Sequence, residues 1–324
     1  MVAMLQLLLV TSVCLLSTAR AEVMFEGYST VRSGEKQIGY VVQRYEFDAG
    51  KKKFTSTYYL KTNKEGGDIT ESLKAQCNDK FQPLNYQYTT KVGETIKTVD
   101  AKFKGKTMTA TVGDGKTEKK STSMVEDGVF LSTFVGYLML QNGYKVGKSF
   151  KYRAIAEEDA KIEDGTATIK TEQKLNGQTV YIIANRFKGA DFTSLVNAKG
   201  EVFKTESPLQ NISTELKASK EDATSGFTLP PDTLKTLFGQ VPDGKKNSLV
   251  AQNSNPATTA VTGKNDVTLK VPPKLSDQPK AKELIQPVGK TPMNASEKSS
   301  ETTQEPKGQK KVEEPHLPGE GSGG

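Results

Sequence analysis

The stretch Lys36–Thr62, KQIGYVVQRYEFDAGKKKFTSTYYLKT, decides the fold class that we predict. It contains two runs rich in β-branched and aromatic residues, Lys36–Phe47 and Lys53–Thr62, separated by the short link DAG. Side chains of a β-strand point to alternate faces, so Tyr58 and Leu60 fall on one face of the second run. Two alternating runs joined by a short link that contains glycine predict a β-hairpin.

Similar runs recur outward from this hairpin, and turn residues separate them. Roughly a dozen strands are expected, and the short links between them favour antiparallel pairing. One link, Asn176-Gly177, is a strong signal for a type I′ turn. We therefore predict one all-β domain, residues 22–239, built as a large curved antiparallel sheet or open barrel.

The segment FLSTFVGYLMLQNGYKVGKSF, Phe130–Phe150, differs from the alternating runs because it is strongly apolar. Its spacing predicts a helix over Asp127–Asn142, with Glu126-Asp127 at the N-terminal cap and Asn142-Gly143 at the end. The helix would be apolar nearly all round, so it must be buried on most sides. We expect Phe130–Gln141 to pack as one short helix on the concave face of the sheet.

The N-terminal segment has the pattern of a signal peptide. Leu5–Leu16 is an apolar run too short to span a membrane, and small residues precede an expected cleavage after Ala21. Residues 1–21 are therefore predicted to be removed on export, and the protein is not expected to be an integral membrane protein. The remaining chain contains one cysteine, Cys77, so it has no intrachain disulfide. These features together predict a bacterial periplasmic protein, or one on the outer envelope surface.

The composition changes sharply near the end of the predicted domain. Pro230–Phe238 has proline at a helix start and apolar residues to bury, which predicts a short closing helix. From Gly239 to Gly324 there is no aromatic residue, and ten of the fourteen prolines lie from Pro242 onward. Such a segment buries too little apolar surface to offset its ordering entropy, so residues 240–324 are predicted to be a disordered tail.

Several functional classes are excluded by the residues that the sequence lacks. The only histidine is His316, which removes His-dependent nucleophilic and zinc sites from the predicted domain. Gly113–Thr117 contains the GKT of a phosphate loop, but Ala110 replaces the required glycine. The formal net charge is +7, and the lysines are scattered, so no nucleic-acid partner is expected. We predict no catalytic residue, no metal ion and no cofactor.

An acidic group occurs where the strand pattern predicts a hairpin end. Glu157-Glu158-Asp159 is followed by Glu163-Asp164-Gly165, but Lys161 stands where a calcium loop needs an oxygen ligand. We interpret these residues as a solvated hairpin end.

Short motifs of this sequence resemble a group of exported bacterial proteins of unassigned function. The motifs are Gly27-Tyr28, Gly34–Gly39, Asp79–Leu84, Leu131–Val146 and Asn197–Lys204. They cover most of Glu22–Ala218, and Asn197 replaces an aspartate that is typical of the last motif. The resemblance implies a large curved antiparallel sheet, similar in shape to the periplasmic lipoprotein carriers, with a hydrophobic concave face.

The function that we predict is non-catalytic binding of an apolar or amphiphilic ligand, such as a lipid or acyl chain, in the cell envelope. The expected ligand-binding residues are on the apolar helix and the sheet: Phe130, Leu131, Phe134, Val135, Leu138, Tyr58 and Leu60. An alternative is a structural or interaction module with a filled core, which recruits a protein or wall partner through its tail or a sheet edge. An enzyme that uses only carboxylates, tyrosine or lysine is a third hypothesis. The sequence does not indicate the oligomeric state.

Overall fold

The structure, a computed structural model, describes residues 21–253, and the strands of this part form one sheet of fifteen strands. The first eight strands are β1 (Glu22–Ser33), β2 (Lys36–Asp48), β3 (Lys53–Thr62), β4 (Ile69–Asn78), β5 (Pro83–Val92), β6 (Thr95–Lys104), β7 (Thr107–Gly113) and β8 (Glu118–Met124). The other seven are β9 (Phe130–Leu131), β10 (Ser149–Ala156), β11 (Lys161–Leu175), β12 (Gln178–Phe187), β13 (Ala190–Asn197), β14 (Val202–Ser207) and β15 (Ile212–Lys217).

The sheet consists of two meanders that meet along one line, where β1 pairs with β15. We call this line the seam. The strand order runs from β8 back to β1, crosses the seam to β15, and runs back to β9. Neighbouring strands are antiparallel except β9 and β10, which are parallel. The sheet is curved and its two edges stay apart, so the predicted open antiparallel sheet is confirmed.

The predicted hairpins are present. Strands β2 and β3 pair with Phe47 opposite Phe54, across the link predicted from the sequence. Asn176 and Gly177 connect β11 to β12 with φ angles of 49° and 78°. A type I′ turn needs positive φ at both central residues, and asparagine followed by glycine meets this need at little steric cost.

The predicted helix Asp127–Asn142 is too long. Phe130 and Leu131 form β9 instead, a single turn of 3₁₀ helix follows, and the helix α1 covers only Val135–Gln141. The backbone of β9 pairs with β10, which lies far along the sequence, and this pairing overrides the local helical spacing.

The predicted cap at Glu126-Asp127 is also wrong. The carboxylate of Asp127 pairs with Lys106, 2.6 Å away, and that of Glu126 pairs with Arg153, 2.5 Å away. The end of the helix is as predicted, because Gly143 follows Asn142 with a φ of 73°.

Helices cover both faces of the sheet near the seam. The segment from β9 to the end of α1 packs on the inner, concave face. On the outer face of β1–β3, helices α2 (Lys220–Ala223) and α3 (Pro231–Phe238) cover a cluster of buried tyrosines. Leu234 and Phe238 of α3 are buried in this cluster, which confirms the predicted closing helix.

The folded chain continues past Gly239, so the predicted boundary there is too early. Residues 241–251, which we call the C-terminal strap, lie against the sheet. The end of the strap forms the first part of helix α4 (Ser248–Asn253). The Tyr28 hydroxyl donates a hydrogen bond to the Pro242 carbonyl at 2.9 Å. The amide of Gly244 donates to Glu26 Oε1 at 2.7 Å. These contacts compensate for the low apolar content on which the prediction of disorder rested.

The buried carboxylate of Glu26 anchors the strap and is itself neutralised. It forms an ion pair with Arg44, with 2.5 Å between Oε2 and Nη2, and both side chains are about 5% exposed. The Arg44 guanidinium also donates to the Phe238 carbonyl at 2.8 Å, which ties the end of α3 to the same pair. Removal of one member would leave the other charged and buried without its partner.

Two of the sequence predictions lie largely or wholly outside the described residues. These are the signal peptide, residues 1–21, and the greater part of the tail, residues 254–324. Within the described part of the chain, none of the helices has the length and apolar character needed to cross a membrane.

Candidate functional site

A cavity of about 250 Å³ lies at the seam, between α1 and the inner face of the sheet. Its walls come from β1, β2 and β3 on one side, from β12–β15 on the other, and from α1 and Thr133 in the turn before it. Most of the large side chains that line it are apolar or aromatic: Phe25, Val41, Tyr45, Tyr58, Val135, Tyr137, Met139, Ile183, Phe192, Val196, Val202 and Phe203.

Small residues keep this space open. Ser29 and Ser194 contribute little volume to the two sheet walls, and Gly136 contributes none from the helix. Gly27 differs, because the space beside it is already filled: an added Cβ would lie 2.6 Å from Leu216 Cδ1 and 2.9 Å from Phe25 Cζ. The small volume at Ser29, Ser194 and Gly136 is why the facing walls do not interdigitate fully.

The polar groups of the cavity wall are largely bonded to one another. Gln43 donates from its amide to the Tyr45 oxygen at 2.7 Å, and the Tyr45 hydroxyl donates to the Thr133 carbonyl at 2.8 Å. The Asn185 amide oxygen accepts from Tyr152 at 2.8 Å. Burial raises the pKa of Tyr45 to about 12, so its hydroxyl stays protonated at neutral pH. The wall therefore offers a ligand mainly apolar contact.

A larger cleft of about 630 Å³ adjoins the cavity, and both are lined by Tyr137 and Glu201. The C-terminal strap forms one wall of the cleft. The Glu201 carboxylate holds the strap there, because its Oε2 accepts from the Ser248 amide and from Asn197 Nδ2, each at 2.9 Å. The cavity thus lies beside a cleft, and the strap forms one wall of this cleft.

Two of the seven predicted ligand-binding residues, Val135 and Tyr58, line the cavity. Three others, Phe130, Leu131 and Phe134, are at most 2% exposed and pack in the core formed with β4–β7 and β10. Leu138 packs against that same core, and Leu60 lies in a separate apolar cluster with Ile38 and Ile69. All of the seven except Leu60 therefore belong to or pack against one apolar cluster, but only Val135 and Tyr58 line the cavity.

The sequence analysis did not single out most of the cavity wall. Tyr137 and Met139 lie within the predicted apolar helix but were not among the expected ligand-binding residues, and both line the cavity. Phe25 and Ile183 are on strands from the two meanders that face one another only after the seam forms. Period-two alternation assigns each side chain to a face, but it does not tell which faces meet.

The acidic group Glu157-Glu158-Asp159 is not the solvated hairpin end that we predicted. Glu157 is 3% exposed, and its carboxylate accepts hydrogen bonds from the Ser132 hydroxyl at 2.5 Å and the Thr133 amide at 3.1 Å. Burial raises the pKa of Glu157 to about 7. Its position is explained by the start of the α1 segment, whose polar groups it satisfies.

Glu71 is a second carboxyl with a raised pKa. Burial, reinforced by the charge of Glu158, raises the pKa of Glu71 to about 8. Glu158 and Asp159 themselves pair with Lys188, at 2.5 Å and 3.0 Å.

In residues 21–253 there is no group of three or more His, Cys, Asp or Glu side chains placed to hold a metal ion.

Cys77 is fully buried on β4. Burial raises the pKa of its thiol well above the ordinary value, which disfavours the reactive thiolate. This cysteine therefore acts as a small apolar core residue.

The structure of this chain is similar to those of two proteins that have no assigned function. No family model matches the chain, and no curated protein matches it. A beta-barrel-like protein of domain of unknown function DUF1849 from Brucella abortus is 10% identical, with a TM-score of 0.44, over 60% of this chain and 96% of that one. A DUF1089 family protein from Pseudomonas aeruginosa is 13% identical, with a TM-score of 0.32, over 54% of this chain and 91% of that one. Both are bacterial proteins of families without an assigned function, whereas the likeness to lipoprotein carriers stays a prediction.

Proposed function

We propose that this protein binds an apolar or amphiphilic ligand, such as a lipid or acyl chain, without catalysing a reaction. The cavity at the seam is the observation that supports this function. At about 250 Å³ it exceeds the cavity of about 150 Å³ that admits benzene, and it approaches the lower end of ordinary ligand pockets, about 300 Å³. A short alkyl chain fits such a space.

The chemistry of the wall suits an alkyl chain better than a polar metabolite. Polar groups such as Tyr45 and Asn185 already have partners in the protein, so a polar ligand would gain few new hydrogen bonds there. Each methylene group that leaves water gains about 0.8 kcal/mol, and this gain is available without any rearrangement of the wall.

The cellular setting is part of the proposal. The signal-peptide pattern of residues 1–21 and the absence of an intrachain disulfide support the periplasm or cell envelope of a bacterium. Fractionation of cells that express the full chain tests this part, and a cytoplasmic, uncleaved protein would contradict it.

The binding proposal is tested by calorimetric titration with decanol and by mass spectrometry of organic extracts of the purified protein. Ser194→Leu places a larger side chain in the cavity. It should weaken decanol binding by about tenfold, since about two methylene groups, each worth about 0.8 kcal/mol, lose their place.

Thr193→Leu is the matched control, because adjacent side chains of a strand point to opposite faces. It should leave decanol binding unchanged. If the wild-type protein contains no extractable lipid and binds no decanol, the proposed function is wrong.

The alternative, an interaction module of the envelope, is supported by the edge strand β8. All seven of its residues are exposed, and it ends the sheet. An unpaired edge can accept a strand of a partner. A tail deletion that tests this idea must begin at residue 254, because the strap belongs to the fold. Loss of an envelope partner with unchanged decanol binding would support the module.

A further inference from the structure

We propose that the ligand has an anionic head group, which binds in the cleft at Lys199, Lys245 and Lys246 while its alkyl chain occupies the cavity. This inference rests on the proposed function and specifies its ligand class. It predicts an anionic amphiphile, with a carboxylate or a phosphate as the head group.

The first argument is the distribution of charge. All three lysines line the cleft and are exposed, and none of them forms an ion pair within residues 21–253. By contrast, the cavity is lined by no lysine or arginine. The cationic groups of this region are thus confined to the end of the cavity where a head group would emerge.

The carboxylates of the cleft reduce this positive charge but do not cancel it. Glu22 and Glu201 also line the cleft. One oxygen of Glu201 is already engaged by Ser248 and Asn197, which makes it a structural acceptor. Three lysines and two carboxylates give the lining of the cleft a net formal charge of +1, and the carboxylate of Asp243, which accepts from the Lys245 amide at 3.0 Å, lies next to this lining.

The second argument is that two anchored segments hold the lysines. Lys199 lies in the turn after β13, where the Asn197 side-chain oxygen accepts from the amides of Lys199 and Glu201 at 2.9 Å and 3.0 Å. Lys245 and Lys246 lie on the strap, and the Lys246 carbonyl accepts from the Glu26 amide at 2.8 Å. Their backbone positions are therefore set before a ligand arrives, which lowers the entropic cost of binding.

The third argument is continuity. Tyr137 and Glu201 line both the cavity and the cleft, so a chain in the cavity has its polar end at the cleft. A carboxylate or phosphate there would have three ammonium groups around it. Exposed charge pairs are individually weak, but three together should tighten binding by about fivefold or more at low salt.

The experiment compares decanol, decanoate and decyl phosphate by calorimetric titration at low ionic strength. The wild-type protein should bind both anions at least about fivefold more tightly than decanol, and added salt should reduce the difference. The triple variant Lys199→Gln, Lys245→Gln and Lys246→Gln should lose that preference while its decanol affinity stays the same.

The control removes three exposed lysines elsewhere, with Lys116→Gln, Lys119→Gln and Lys120→Gln at and before the edge strand β8. It lowers the net charge equally and should keep the preference for anions. The carboxylate and phosphate arms show which head group is favoured, and a preference for either supports the inference. Equal binding of decanol and both anions, or an unchanged preference in the first triple variant, overturns it. Failure of all three compounds to bind overturns the proposed function as well.

Discussion

The two ends of the segment Phe130–Gln141 have the same apolar composition but different surroundings. Its first residues, Phe130–Phe134, enter a filled core in which Phe134 is fully buried and lies 6.3 Å from Phe81, ring to ring. Of its later residues, Val135, Tyr137 and Met139 line the cavity at the seam, whereas Leu138 packs against the core. The apolar character of a segment therefore predicts that it is buried, but not whether protein alone covers it.

The difference arises from the facing strands. The first meander presents large side chains to the segment, such as Phe54 and Phe81, which stack with 5.2 Å between ring centroids. The cavity wall at the seam combines large side chains, such as Phe25, with the small residues Ser29 and Ser194. The volume of the partner residues decides where the interior is filled and where a ligand has room.

The largest effect should follow from a cavity made on the filled side. Phe134→Ala should lower the free energy of unfolding by about 3–5 kcal/mol, since the aromatic ring is fully buried and its neighbours cannot collapse into its place. Urea unfolding measures this. A loss below about 1 kcal/mol would mean that the core around Phe134 is not filled.

A somewhat smaller effect is expected from the buried carboxyl on the filled side. Burial raises the pKa of Glu157 from 4.5 to about 7, so between these pH values the folded protein retains a proton that the unfolded chain releases. The contribution of Glu157 to the free energy of unfolding should therefore fall by roughly 3 kcal/mol as pH rises through this window, and this contribution should level off above it.

Urea unfolding at several pH values tests this dependence. Glu157→Gln should reduce the slope below pH 7 to the part that comes from Glu71, whose pKa is about 8 and which should keep a slope up to that value. The variant Glu71→Gln is the matched control for this upper part. A stability that rises with pH between about 5 and 7 in the wild-type protein would contradict the assignment.

Tyr45→Phe should lower the free energy of unfolding by about 1 kcal/mol. This residue lies where the filled side of the segment meets the cavity side. The Tyr45 hydroxyl donates to the Thr133 carbonyl at 2.8 Å, and Tyr45→Phe removes this bond while the ring remains. Thermal unfolding measures the loss. Because Tyr45 also lines the cavity, decanol affinity should change by less than about twofold if the ring and not the hydroxyl contacts the alkyl chain.

The smallest effect on stability should come from the open side. Val135→Ala removes two methyl groups that already border empty space, so its cost should stay below about 1 kcal/mol. Urea unfolding alongside Phe134→Ala gives the direct comparison of the two sides. Equal losses in both variants would show that the cavity side is packed as tightly as the core.

Much of the sheet could be predicted from the sequence, but the cavity could not. Alternation and turn residues predicted the hairpin of β2 and β3 and the turn at Asn176-Gly177, because both depend on neighbours in the chain. The start of α1 and the burial of Glu157 depend on each other across the fold, since this carboxylate binds Ser132 and Thr133. The secondary-structure propensity of the local sequence does not predict such a contact.

The sequence by itself determined that this protein has an antiparallel sheet with one strongly apolar segment, because backbone geometry makes period-two patterns and turn residues local properties. Tertiary structure alone decided that β1 joins β15, that the strap folds back on Glu26, and that Val135, Tyr137 and Met139 line a cavity. The physical reason is that these features are set by contacts between distant residues, such as Thr30 and Glu215 across the seam. Whether such contacts fill the interior depends on the shapes of side chains that meet only in the folded chain.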